Sequence, residues 1–275
     1  VVALLVLLAA AVAVVLLAPR TLAAGRWQVR MPRLALGLWL TAVLGGVACL
    51  IGAGIVGLVL AIAGSGSESG AAGVIVTVFA WMSLLAVGGT VVIVASGSAE
   101  VLDAVRRNRG SVLTLPHTVH VAASDWQLLV CDTDEVFACA IPGKPHTVAV
   151  SAGLVRELTP AQLRAVVAHE RAHLSAHHEL VLRLADLNLA CMPRSGAAQR
   201  LRRSTSLLIE LAADDAASRR AGAVHLANAL VRVGRATGDV TVELRAERLA
   251  QRPCRLAGRL TPVAPVYERA VASLR

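Results

Sequence analysis

Val166-Val-Ala-His-Glu-Arg-Ala-His173 decides how the chain is read, because it sets two imidazoles and a carboxylate at helical spacing. Residues four apart share one face of a helix, so His169 and His173 can turn toward the same metal ion. Glu170 stands beside them, and the order H-E-x-x-H is one in which two His nitrogens hold Zn²⁺ while the Glu takes a proton from water. The helix carries its own start signal. Thr159 can act as N-cap, Pro160 fits the first helical position and Gln162 completes a capping box. Leu163, Val166 and Val167 then supply the apolar face.

A hydrolytic zinc site takes three protein ligands and keeps one position for water. The metzincin pattern would place a third His where the chain has Glu179 and a Gly where it has Ala176, so that class is excluded. The better source lies downstream in Ser206-Leu-Leu-Ile-Glu-Leu-Ala-Ala-Asp-Asp215, where Glu210 and Asp214 fall one turn apart on a second helix. Glu210 can supply the third ligand, and Asp214 can accept the remaining N–H of a ligating His. Taken alone, E-x-x-x-D is a common pattern on a solvated Ala-rich helix; some forty residues after H-E-x-x-H it gains meaning. His177, close behind His173, is a weaker candidate for the same position, because one straight helix would carry it away from the ion.

The rest of the chain sets this site in a membrane context. A chain of 275 residues with 56% hydrophobic residues and a mean hydropathy of +0.66 is too apolar for a soluble protein of its size. The net charge of +9 comes mostly from scattered Arg with only 3% aromatics, which argues against direct nucleic-acid binding. Of the 18 acidic residues only Glu68 precedes Ser96, so the composition changes there. The five Cys are odd in number and lack C-x-x-C spacing, as expected of reduced, packed residues.

Three charge-poor segments, about 1–18, 34–63 and 71–96, are expected to span the bilayer as a membrane domain over 1–96. A cleaved signal peptide competes for the first, but the segment lacks a basic start. Gly45, Cys49, Ala53, Gly57 and Ala61 form a small-residue stripe for close helix packing, which could also serve a homo-oligomer. Arg20, Arg26, Arg30 and Arg33 in one loop and Arg106, Arg107 and Arg109 in another fall on the same side. The positive-inside rule makes that side cytoplasmic and leaves the N-terminus outside.

A juxtamembrane connector is expected over 97–116, with a short helix from Ser98 stopped at Gly110. The catalytic domain should cover 117–235 and open with a small antiparallel sheet from Gln127–Cys131, Val136–Ile141 and His146–Ser151, whose free edge could pair with a substrate backbone. Residues 236–275, rich in Pro and Arg, read as a flexible tail. His225 is a candidate donor to the transition state.

His169-Glu-Arg-Ala-His173, Thr147-Val-Ala-Val-Ser-Ala-Gly-Leu154, Val136-Phe-Ala-Cys139 and Glu210-Leu-Ala-Ala-Asp214 together resemble the BlaR/MecR-type membrane metallopeptidases. The prenyl-protein and heat-shock membrane proteases share the two main motifs; the short distance between them and the His177-His178 pair favour the BlaR/MecR type. The resemblance implies a protein substrate, such as a transcriptional repressor. It does not extend to the sensor domain of the antibiotic receptors, since nothing after Ser96 spans a bilayer convincingly. The expectation is therefore a mainly α plasma-membrane protein with a cytoplasmic α+β zincin-like domain. It would hold one Zn²⁺ through His169, His173 and Glu210, with Glu170 as general base and Asp214 behind one of the ligating histidines. The competing expectation is a receptor or scaffold that keeps the fold without turnover.

Overall fold

The computed structural model describes residues 2–22, 27–64, 71–123 and 125–251. They fall into two compact units, one drawn from within 1–103 and 182–208, the other from within 104–181 and 209–275.

The first unit is helical. Helix α1 (Val2–Leu22) is followed by the short α2 (Trp27–Arg30), the long α3 (Pro32–Gly64) and α4 (Ala71–Leu113). Glycines let α1 and α4 approach α3 closely. A Cβ on Gly46 or Gly52 would touch Val14 or Leu7 of α1 at 3.4 Å, and one on Gly54 would come within 2.4 Å of Val87. Ala53 and Gly57 of the small-residue stripe are buried, whereas Gly45 faces open space, so the stripe serves packing only in part. Ile51, Ile55, Val59 and Ile62 of α3 remain exposed.

Among the described residues two helices, Pro32–Leu60 and Val87–Leu113, are long and apolar enough to cross a membrane, where three spans were expected. The expected first span lies within α1, where an apolar stretch is described over Val2–Val14. The connector expected to begin at 97 is likewise not separate, because α4 runs unbroken through Gly97 and Gly110. At Gly97 the smallness serves packing instead: an added Cβ would meet Ala190 at 3.2 Å and Leu187 at 3.3 Å.

The second unit is built on a four-stranded sheet of β1 (His117–Ala123), β2 (Trp126–Cys131), β3 (Ala138–Ile141) and β4 (His146–Ser151), in the order β1-β2-β4-β3. The sheet is mixed, not antiparallel as expected. Two hairpins, β1–β2 and β3–β4, lie side by side so that β2 and β4 run parallel, with Leu129 opposite Ala149. The link from β2 to β3 is pinned under Gly153, whose N–H donates to Thr133 O and whose added Cβ would lie 2.2 Å from Asp134 O. In the same link Asp134 pairs with Arg156.

Alternation along the strands feeds two cores, as a sheet covered on both faces requires. Leu128, Val130, Val148 and Val150 face one way and pack with Leu163, Val166 and Val167, while Leu129, Cys131, Ile141 and Ala149 face the other. Ser151 ends β4 and caps α5 (Ala152–Glu157) by accepting from Leu154 N–H. Helix α6 (Pro160–Ser175) then starts at the Thr159/Gln162 capping box expected from the sequence. The chain continues through α7 (His178–Cys191), α8 (Gly196–Ala221), α9 (Ala223–Thr237) and α10 (Val240–Ala250). Residues 240–250, expected in the tail, thus form a helix: Gly238 closes α9 in a left-handed conformation, Asp239 caps α10, and Val242, Ala246 and Leu249 pack on α9. Cys49, Cys131 and Cys139 are free thiols; Cys254 lies outside the described residues.

Candidate metal centre

The apolar side of α6 fastens it to the sheet, and this fixes where its polar side faces. His169 is buried and His173 is partly buried one turn on, with Nε2 atoms 3.0 Å apart. Helix α8 brings Glu210 to the same point. Its Oε2 lies 3.3 Å from His169 Nε2 and its Oε1 3.6 Å from His173 Nε2. One turn further along α8, the fully buried Asp214 places Oδ1 3.0 Å from His169 Nδ1, close in distance though off the line of a straight hydrogen bond.

Three atoms bound at about 2.0–2.2 Å around a tetrahedral ion lie roughly 3.3 Å apart, and these separations fall around that value. One ligand atom from each of His169, His173 and Glu210 lies within 4.8 Å of the others, a group that could hold a metal ion. The Nδ1 atoms of both histidines are engaged from behind, by Asp214 and by His178, which leaves the two Nε2 lone pairs converging. The donor set of two imidazoles and a carboxylate therefore suits zinc.

Arg245 of α10 completes the cluster, and the sequence reading had placed it in the tail. Its Nε and Nη2 donate to both oxygens of Asp214 at 2.9 and 2.7 Å, and its Nη1 lies 2.8 Å from Glu210 Oε2. Nη2 also stands 3.4 Å from His169 Nε2. The signal was available in the spacing of Val242, Ala246 and Leu249 behind a capping Asp239, obscured by the Ala- and Arg-rich composition.

These neighbours divide the charges. Burial opposes a proton on His169, but the Asp214 and Glu210 carboxylates beside it outweigh that and raise the group to about 9. Burial and the adjoining His169 depress His173 to about 3, against the pull of Glu210. Burial alone would raise both acids of α8, yet the His169 hydrogen bond and Arg245 hold Glu210 at about 2, while Arg245 and His169 hold Asp214 below the usual carboxylate range. Glu170 goes the other way. Burial and the nearby Glu210 favour its protonated form, opposed by His169, Arg245 and the Ala140 backbone N–H. A carboxylate whose proton affinity is raised beside a cation-binding group suits proton transfer.

His225, the expected transition-state donor, is exposed on the first turn of α9 beside Gly222 and stands outside this cluster of contacts. His177 is exposed as well, with its backbone in the left-handed region at φ +50.

The profile of peptidase family M48 matches residues 106–254, just over half of the chain and all of the elements that build the centre. Among curated proteins none matches this chain.

Proposed function

The chain belongs to peptidase family M48, a family of zinc metallopeptidases, and from that premise we propose that it is a membrane-bound zinc endopeptidase cleaving a protein substrate. The observation that carries the reading is the convergence of His169 Nε2, His173 Nε2 and the Glu210 carboxylate, which would hold the ion. When bound, zinc lowers the pKa of a water to about 7 and polarises the scissile carbonyl. Glu170 accepts the proton of the attacking water on its carboxylate and delivers it to the leaving amine. Asp214 orients His169, and Arg245 keeps Glu210 and Asp214 ionised.

The substrate backbone is proposed to lie along β3, which pairs only with β4 among the described residues and whose Ala140 N–H neighbours Glu170. Recognition through backbone hydrogen bonds would require an extended segment and little side-chain identity. The exposed apolar faces of Pro32–Leu60 and Val87–Leu113 support residence in a lipid bilayer, and the Arg-bearing segment around Arg106 and Arg107 supports a cytoplasmic catalytic unit. On the short distance from His173 to Glu210 and the His177-His178 pair we favour a BlaR/MecR-like role, with a repressor-like protein as substrate.

Glu170→Gln in the full chain tests the reading. Cleavage of an unstructured polypeptide should fall about 10²–10⁴-fold while the zinc content is retained. Unchanged cleavage would sink the enzyme reading, and cleavage by neither form beside full zinc content would favour a scaffold. A reporter fused at Arg275 should report the cytoplasm; an external signal would invert the proposed topology.

A further inference from the structure

His178 is buried at the start of α7, and its Nδ1 lies 3.2 Å from Nδ1 of His173, with the rings 5.0 Å apart and nearly perpendicular. Helical spacing does not explain this meeting. Five residues along an unbroken helix turn about 140°, which would carry residue 178 to the far side of α6 from His173. The chain breaks instead. Ala176 N–H still donates to Ala172 O and His177 N–H to Leu174 O, but His177 then takes φ +50, uncommon for a residue with a Cβ, and Leu180 N–H donates back to His177 O as α7 begins. That single left-handed residue swings His178 behind His173. A costly backbone conformation beside a functional site invites a functional reason.

We propose that His178 is a positioning residue, an imidazole that fixes the tautomer and aim of His173 as the Asp214 carboxylate does for His169. The proposal rests on the zinc reading given above. A neutral His that presents Nε2 to a metal carries its proton on Nδ1, so His173 Nδ1–H donates and His178 Nδ1 accepts. His178 must then carry its own proton on Nε2. Had both rings been protonated at Nδ1, two N–H groups would face each other at 3.2 Å. The two ligands thereby differ in backing, one by an anion and one by a neutral ring.

The test uses the full chain in detergent, with zinc affinity read by competition against a chromophoric chelator. His173→Ala should abolish tight binding. His178→Ala should weaken it about 10–100-fold, and His178→Asn, whose Oδ1 stands near the lost Nδ1, should return it to within about threefold of wild type. Wild-type affinity in His178→Ala, beside the loss in His173→Ala, overturns the role of His178 and leaves the zinc reading intact. Failure of wild type to bind zinc, or indifference to His173→Ala, removes both. Should His178→Ala not fold, the ring ¹⁵N shifts of zinc-loaded wild type decide: an unprotonated His178 Nδ1 supports the proposal, and a protonated one overturns it.

Discussion

His169 and His173 occupy one face of one helix, yet the two sides of the centre they form are built in opposite ways. On the side of α8 and α10, burial lowers the proton affinity of His169 but the Asp214 and Glu210 carboxylates raise it to about 9, with Arg245 paired to both acids. On the side of α7, His173 meets the ring of His178, and burial together with the neighbouring His169 depresses it to about 3. The charged side is assembled from residues 41 to 76 positions beyond His169; the neutral side is assembled within five of His173. Spacing on a helix decides which atoms converge. The elements packed behind each ring decide how it is oriented and which ring favours a charge.

If Asp214 and His178 act through separate rings, removing both should combine their effects without coupling. Each single Ala variant is expected to weaken zinc binding about 10–100-fold, and the double variant by the product, roughly 10²–10⁴-fold. A double variant no worse than either single one would show that the two partners act as a unit, and the contrast between the sides would be lost. The measurement is the same chelator competition, carried through a full cycle of four proteins.

Arg245→Ala probes the charged side alone and should act first on stability. It strips the buried Asp214 anion of its bidentate partner, a change that costs about 3–5 kcal/mol for a buried pair. We expect about 3 kcal/mol, the low end of that range, because His169 still faces Asp214. Arg245→Lys should recover only part, since an ammonium cannot reproduce the fork that meets both Asp214 oxygens and Glu210. Denaturant unfolding of the zinc-free chain checks both. A loss below 1 kcal/mol would mean the charges on this side are held by solvent and not by α10.

The same contrast separates what could be read in the sequence from what could not. The α6 helix was legible because its signals are local: the Thr159/Gln162 box, the apolar face and the His pair lie within sixteen residues. Glu210 and Asp214 were legible as one turn of a second helix, which then needed only to be brought near. The parallel pairing of β2 with β4 was not, since it depends on how two hairpins dock and no short-range pattern encodes it. Gly110 looked like a helix stop, but glycine costs only about 1 kcal/mol inside a helix; at Gly97, where the connector was expected to begin, contact with Leu187 and Ala190 explains the small residue. Arg245 was hidden by composition. His178 was hidden by geometry, because its meeting with His173 turns on the φ of one residue.

The smallest expected effect tests how firmly α10 supports the charged side. Asp239 Oδ1 accepts from the N–H and the hydroxyl of Thr241 at 2.8 and 2.7 Å, an exposed N-cap, so Asp239→Ala should loosen α10 by about 1 kcal/mol. Amide exchange along α10 would then quicken about fivefold, as that free energy implies, with smaller changes in α6. The cap also sets a pH dependence. The Thr241 hydrogen bonds hold the Asp239 carboxyl below its ordinary value, so its contribution is complete above the unfolded carboxylate's value near 3.8 and fades as pH falls through the lower folded value. Wild type and Asp239→Ala should therefore converge in acid, whereas Asp239→Asn should keep its cap at every pH. If α10 exchange rises in Asp239→Ala but zinc affinity does not move, Arg245 is held by its ion pairs alone; if both move together, the helix and the charged side of the centre form one unit.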